Sequence, residues 1–162
     1  MLGFPEAARR AGGVVAIDGD LPCPGVPGFR TFSWDLAKAQ ARMEAALAAA
    51  GHRDAADALT VIGYSQGAAI LEQLVAKSPA RYARVVIIAA PSDPIASRYA
   101  KARGVVTMAC SRDAVWRMKL ASKSIAARGV PSTYIEMPGC THGELAEGDA
   151  RFDEAFTWLG AR

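Results

Sequence analysis

Little in this sequence points to a membrane, a nucleic acid or a metal. No apolar run approaches the roughly 20 residues that would span a bilayer, although 51% of the chain is hydrophobic. Cations are scattered: 19 Lys and Arg face 16 Asp and Glu, for a formal charge of +3, and Arg9-Arg10 is the one adjacent basic pair. Nucleic-acid binding needs a concentrated basic footprint, which is absent. The three cysteines, at 23, 110 and 140, form no CxxC pair, against a zinc ribbon or a redox dithiol. An odd cysteine count fits a reducing compartment. So does an opening MLGFPEAARRAGG without the charged and apolar regions of an export signal. The expectation is a cytoplasmic protein with no membrane or nucleic-acid partner. Repeats, low-complexity tracts and linkers are also missing, so 162 residues read as one domain spanning 1–162.

What is present is alternation. Residues 5–11 read as a short helix with Pro5 in its first turn and Gly12-Gly13 as its stop. Val14–Ile17 is a short apolar run, expected to be a buried strand, and 18–32 is a Pro/Gly-rich loop. Ser33 is an N-cap candidate for a helix running to about Ala50, with Leu36, Met43, Leu47 and Ala50 on one face. Further strands are expected at 59–62, 85–89, 105–109 and 133–137. Helices are expected at 67–77 and 114–128, and a last helix places Phe152, Phe156 and Leu159 on one side. Apolar strands alternating with helices imply a mainly parallel sheet of about five strands inside a three-layer αβα sandwich. Ligands in such folds bind beyond the carboxyl ends of the strands.

Beyond the strand at 59–62 stands Gly63-Tyr64-Ser65-Gln66-Gly67, followed by an amphipathic helix. This is G-x-S-x-G in the strand–turn–helix setting that gives it chemical meaning. The turn lifts the serine hydroxyl above the sheet in a strained backbone conformation. Glycines at 63 and 67 are expected to remove clashes across it. The helix N-terminus behind Ser65 supplies free amides for a developing oxyanion.

A serine hydroxyl is a weak nucleophile and needs a base. The chain has two histidines. His52 follows a helix that feeds a strand, at the wrong end of the sheet, and reads as a solvated loop residue. His142 follows the last strand, at the right end. The base in turn needs a carboxylate to hold its tautomer. Asp113, after the strand at 105–109, gives the order Ser…Asp…His. Asp93, after the preceding strand, is the rival. Asp113 stands ahead because its strand neighbours the one delivering His142, but it also suits the N-cap of the helix that follows.

GYSQGAA followed by such a helix resembles the α/β-hydrolase superfamily. It looks most like the carboxylesterase/phospholipase branch, which includes the dienelactone-hydrolase-like enzymes. Cutinases also show GYSQG, but a strand and a long helix between Asp113 and His142 suit the esterase branch better. The resemblance implies a minimal α/β-hydrolase fold without a lid domain, with Ser65 as nucleophile, His142 as general base and acid, Asp113 as its orienter, and the Gln66 N–H as half of an oxyanion hole. Such proteins usually open with further strands, one of which ends in the loop giving the second oxyanion N–H. Here that strand would precede the helix at 5–11. Either the strands at 14–17 and 59–62 close up together, or the chain is a shortened product. Substitute donors would be Leu2, Gly3 or Phe4, or else Gly19 or Asp20. An exposed edge at 14–17 would favour a homodimer.

Smaller features follow. Cys110 and Cys140 fall at strand ends where they could pair, with two buried thiols expected in a reducing compartment. Cys23 lies in the loop expected to rim the site. Phe32 and Trp34 are candidate walls of an acyl pocket. Asp18 and Asp20 lack the further ligands a metal would require, and no cofactor is expected. The sequence thus predicts a serine hydrolase acting on small carboxylic esters through an acyl-enzyme. The alternatives are a non-catalytic hydrolase-fold binding protein and an acyltransferase.

Overall fold

The computed structural model describes residues 4–52 and 59–162. Its centre is a parallel sheet of four strands: β3 (Thr60–Tyr64), β4 (Arg84–Ile88), β5 (Gly104–Cys110) and β6 (Ser132–Met137), hydrogen-bonded in that order. A small antiparallel ladder, β1 (Leu21–Pro22) with β2 (Arg30–Thr31), precedes them. The helices are α1 (Pro5–Arg10), α2 (Leu36–Ala49), α3 (Gln66–Lys77), α4 (Val115–Ala126) and α5 (Gly148–Gly160).

Strand alternation divides the core in two. Val85 and Ile87 of β4, with Val105 and Ala109 of β5, pack under Leu71 and Leu74 of α3 and Met118 and Ile125 of α4. Val86, Ile88, Val106 and Met108 face the other way, onto Ala7 of α1 and Phe152, Ala155 and Leu159 of α5. Strands buried on both faces have no polar side, which is why they read as continuous apolar runs. Each such Val, Leu or Ile contributes about 1.5–3 kcal/mol on burial. Thr107 is the polar residue fully buried within this sheet, and its hydroxyl donates to the Met118 carbonyl at 2.8 Å.

Expectations change at 14–17 and at α2. Val14–Ile17 is irregular rather than a strand, with Val14 and Val15 exposed, so the described sheet has four strands and not five. An apolar run becomes a strand only where a neighbour completes its ladder. Nor do 14–17 and β3 close up. A cleft of about 1240 Å³ separates them, walled by Phe4 and Ala7 on one side and by Met43 and Leu71 on the other. The free edge expected at 14–17 is therefore that of β3, among the described residues. At α2 the cap is Asp35, whose carboxylate accepts from the Lys38 amide at 3.0 Å. Ser33 instead donates its amide to Asp20 at 2.8 Å, and Ala50 is exposed beyond the helix end. No helix among the described residues is long and apolar enough to cross a membrane.

Candidate active site

Ser65 sits between β3 and α3 with φ 50° and ψ −120°, a conformation a side chain tolerates poorly. Two backbone bonds hold it there: its amide donates to the Ile88 carbonyl at 2.9 Å, and its carbonyl accepts from Ala68 at 3.0 Å. Gly63 makes the turn possible. A Cβ at that position would lie 2.7 Å from both Ala68 Cα and the Gly67 carbonyl oxygen. Gly67 differs from expectation, because a Cβ there would meet no more than the Phe32 ring, at 4.0 Å. Gly63→Ala should therefore destabilise by about 1–3 kcal/mol or more, since backbone must move, while Gly67→Ala stays below about 1 kcal/mol. Urea melts of the two variants check this.

His142 reaches Ser65 from the loop after β6. Its Nε2 lies 3.0 Å from Ser65 Oγ, and its Nδ1 lies 2.8 Å from Asp113 Oδ2. A carboxylate can only accept, so the ring proton belongs on Nδ1, leaving Nε2 to accept from the hydroxyl. Asp113 is 16% exposed on its side chain and His142 50%, so the hydrogen-bonded chain runs from a shielded carboxylate to an open mouth. Asp113 is released from the capping role: Ala114 is the N-cap of α4, and no side chain bonds that end.

The rival acid goes elsewhere. Asp93 pairs with Arg117 Nε at 3.0 Å, and the same guanidinium donates to the Ala90 carbonyl at 3.1 Å. His52 is exposed just past α2, its amide bonded to the Leu47 carbonyl, and it lines the β3-edge cleft rather than the Ser65 site. Of the substitute oxyanion donors, Leu2 and Gly3 lie outside the described residues. Phe4 stacks on Phe152 with centroids 3.8 Å apart, in the α5 layer. The Gly19 carbonyl accepts from Arg30 at 2.7 Å. Asp20 takes Lys38 at 2.7 Å, and that ammonium with the Ser33 bonds holds its carboxyl well below the usual range. The Asp20 carboxylate is thus committed to an ion pair. Among the described residues no group of three His, Cys, Asp or Glu is placed to hold a metal.

The Gln66 side chain has a role that sequence reading missed. Its Oε1 accepts from Thr31 Oγ1 at 2.8 Å and from the Phe32 amide at 3.0 Å, while Nε2 donates to the Phe32 carbonyl at 3.1 Å. The residue next to Ser65 thus pins the β1–β2 hairpin over the turn. Phe32 packs against the core and lines the β3-edge cleft, whereas Trp34 is 53% exposed at φ 64°. Cys23 is free and half-buried.

Cys110 and Cys140 are joined in a disulfide, rather than being the two thiols expected. The bridge fastens the end of β5, three residues before Asp113, to the loop two residues before His142. Closing 30 residues is worth roughly 3–4 kcal/mol. Cys110→Ala/Cys140→Ala should lower the melting temperature by roughly 10 °C. The same variant should also slow any chemistry at Ser65, because both loops lose their shared anchor. An unchanged melt would mean that the bridge is not formed in solution.

Comparison with solved structures places this geometry in context. An uncharacterized protein from Bacillus cereus ATCC 10987 superposes with a TM-score of 0.72 at 11% identity, over 97% of this chain and 53% of that one. A protein of unknown function from Agrobacterium tumefaciens gives 0.56 at 20% identity, over 90% and 76%. SOBER1 of Arabidopsis thaliana gives 0.50 at 14% identity, over 78% and 63%. The fold is of the α/β-hydrolase type. This chain spans about half the length of the Bacillus cereus protein. No protein-family model matches the chain, and no curated protein does.

Proposed function

We propose that the protein is a serine hydrolase that cleaves small carboxylic esters through an acyl-enzyme, in the manner of the carboxylesterase branch. The reading rests on one observation, the hydrogen-bonded chain Asp113–His142–Ser65 with its serine on a strained turn at the head of α3. In this mechanism Ser65 Oγ attacks the ester carbonyl as His142 Nε2 takes its proton. Asp113 holds the tautomer and stabilises the imidazolium that forms. The first amides of α3, led by Gln66, face the negative charge developing on the carbonyl oxygen. His142 then returns the proton to the leaving alcohol. Water repeats the sequence and frees the acid.

The half-exposed imidazole suits esters that approach from solvent. A second oxyanion donor is worth about 10²–10³ in rate. The second reading is a protein that keeps the constellation for binding alone. Incubation with a fluorophosphonate probe, followed by mass spectrometry, decides between them. An adduct on Ser65 is expected of an esterase, and a folded protein left unlabelled would remove the proposal.

A further inference from the structure

Tyr64 ends β3, immediately before Ser65, and its hydroxyl accepts a hydrogen bond from the Gly143 amide. We propose that Tyr64 is a positioning residue that sets the His142 loop over Ser65 through this bond. The proposal rests on the esterase reading above.

The need for such a device follows from the loop's other attachments. Residues 138–147 form neither helix nor strand. The first part is tied to the end of β5: the Gly139 amide donates to Ser111 Oγ at 2.9 Å, Arg112 donates to the Cys140 carbonyl at 3.1 Å, and Cys140 is bridged to Cys110. The next part closes on itself, with Glu144 Oε2 accepting from the Thr141 amide at 2.7 Å and the Glu144 amide donating to the Thr141 carbonyl at 3.2 Å. These bonds fix the loop relative to Asp113, not to the strand that carries Ser65. The Tyr64–Gly143 bond spans that gap, one residue from Ser65 at one end and one residue from His142 at the other.

The geometry around it is consistent. Strand alternation puts Tyr64 with Ile62 on the α1/α5 side of the sheet, and residues 138–147 lead into α5 on that side. The Tyr64 ring lies 5.3 Å from the His142 ring at a 44° tilt, so it also limits how far the imidazole can swing. Gly143 has φ 97°, a backbone open to glycine, which lets the loop turn its amide toward the phenol. Burial raises the Tyr64 phenol above its ordinary value, so it stays neutral. A proton transfer between Ser65 and His142 tolerates little displacement, since a 1 Å misplacement costs on the order of 10²-fold.

Tyr64→Phe keeps the ring and removes the acceptor. Fluorophosphonate labelling of Ser65, counted per folded molecule by circular dichroism, is expected to slow about 10- to 100-fold. With a small activated ester the loss should fall on kcat and leave KM unchanged. In a His142→Ala background Tyr64→Phe should have no further effect, whereas a purely structural contribution would act in both backgrounds alike. Labelling of Y64F at the wild-type rate would overturn the proposal. Wild-type protein that takes no label removes the esterase reading itself, and the clamp is then read from amide exchange. Exchange at Gly143 that is slow in wild type and fast in Y64F supports it, and exchange that is fast in both overturns it.

Discussion

Ser65→Ala should abolish hydrolysis of a small activated ester, lowering kcat by about 10³–10⁶-fold, while leaving the fold as stable as wild type. The kinetic loss is large because no other group in the chain Asp113–His142–Ser65 can form the acyl bond. Removing a serine nucleophile elsewhere costs up to about 10⁶. The thermodynamic half of the prediction comes from the backbone. Alanine and serine suffer the same strain at φ 50° and ψ −120°, so the exchange neither relieves nor adds to it. Ser65→Gly is the informative companion. Glycine adopts this region freely, and a strained residue of this kind costs about 1–3 kcal/mol. Ser65→Gly should therefore be as inactive as the alanine variant yet melt roughly 2–4 °C higher for each kcal/mol recovered. A variant that loses activity and gains stability at one atom's remove is the signature of strain kept for chemistry. If S65G is instead no more stable than S65A, the turn is not strained in solution and the elbow has been misread. Residual ester hydrolysis by S65A at the wild-type rate would place the chemistry at another residue.

The parts of this arrangement that can be read from sequence are those whose causes are local. The runs at 84–88 and 104–110 are strands because both faces of each are buried, and continuous apolarity between turn residues records that directly. Ser65 is legible because the turn's steric demand falls on its own neighbours, and Gly63 answers it within the same five residues. His142 was accessible by scarcity, there being two histidines and one suitable strand end. Causes that lie far along the chain leave no such mark. Val14–Ile17 has the composition of a strand, but its state depends on a neighbouring ladder that those residues do not encode. The Gln66 amide bonds residues 31 and 32, and the Tyr64 hydroxyl bonds residue 143. Nothing at positions 64 or 66 announces those partners, since the motif leaves both free to vary. The Cys110–Cys140 bridge is an intermediate case. Both residues could be placed at strand ends, but pairing needs β5 and β6 to be neighbours in a defined register, with Cys110 opposite Met137.

Asp113→Asn should lower kcat by about 10⁴-fold, while Asp93→Asn leaves it within about twofold. Each aspartate follows a strand that ends on the same rim, so the contrast tests geometry rather than motif. At Asp113 the carboxylate accepts from His142 Nδ1 at 2.8 Å. An asparagine that turns its NH₂ toward that nitrogen donates instead, and the ring proton then moves to Nε2. The imidazole can no longer accept from Ser65, and the site is built but in the wrong tautomer, which in a serine protease costs about 10⁴. Binding is untouched, so KM should hold, and labelling of Ser65 should slow by the same factor as turnover. At Asp93 the partner is Arg117, and the aspartate is 70% exposed. An ion pair in that setting is worth about 0–1 kcal/mol, and Arg117 keeps its bond to the Ala90 carbonyl. The opposite outcome, with Asp93→Asn silent in stability but severe in rate and Asp113→Asn mild, would mean that the loop after β6 adopts a different seat when substrate is bound. The Cys110–Cys140 bridge opposes such a rearrangement, because it ties His142's loop to Asp113's strand and not to the one that ends before Asp93.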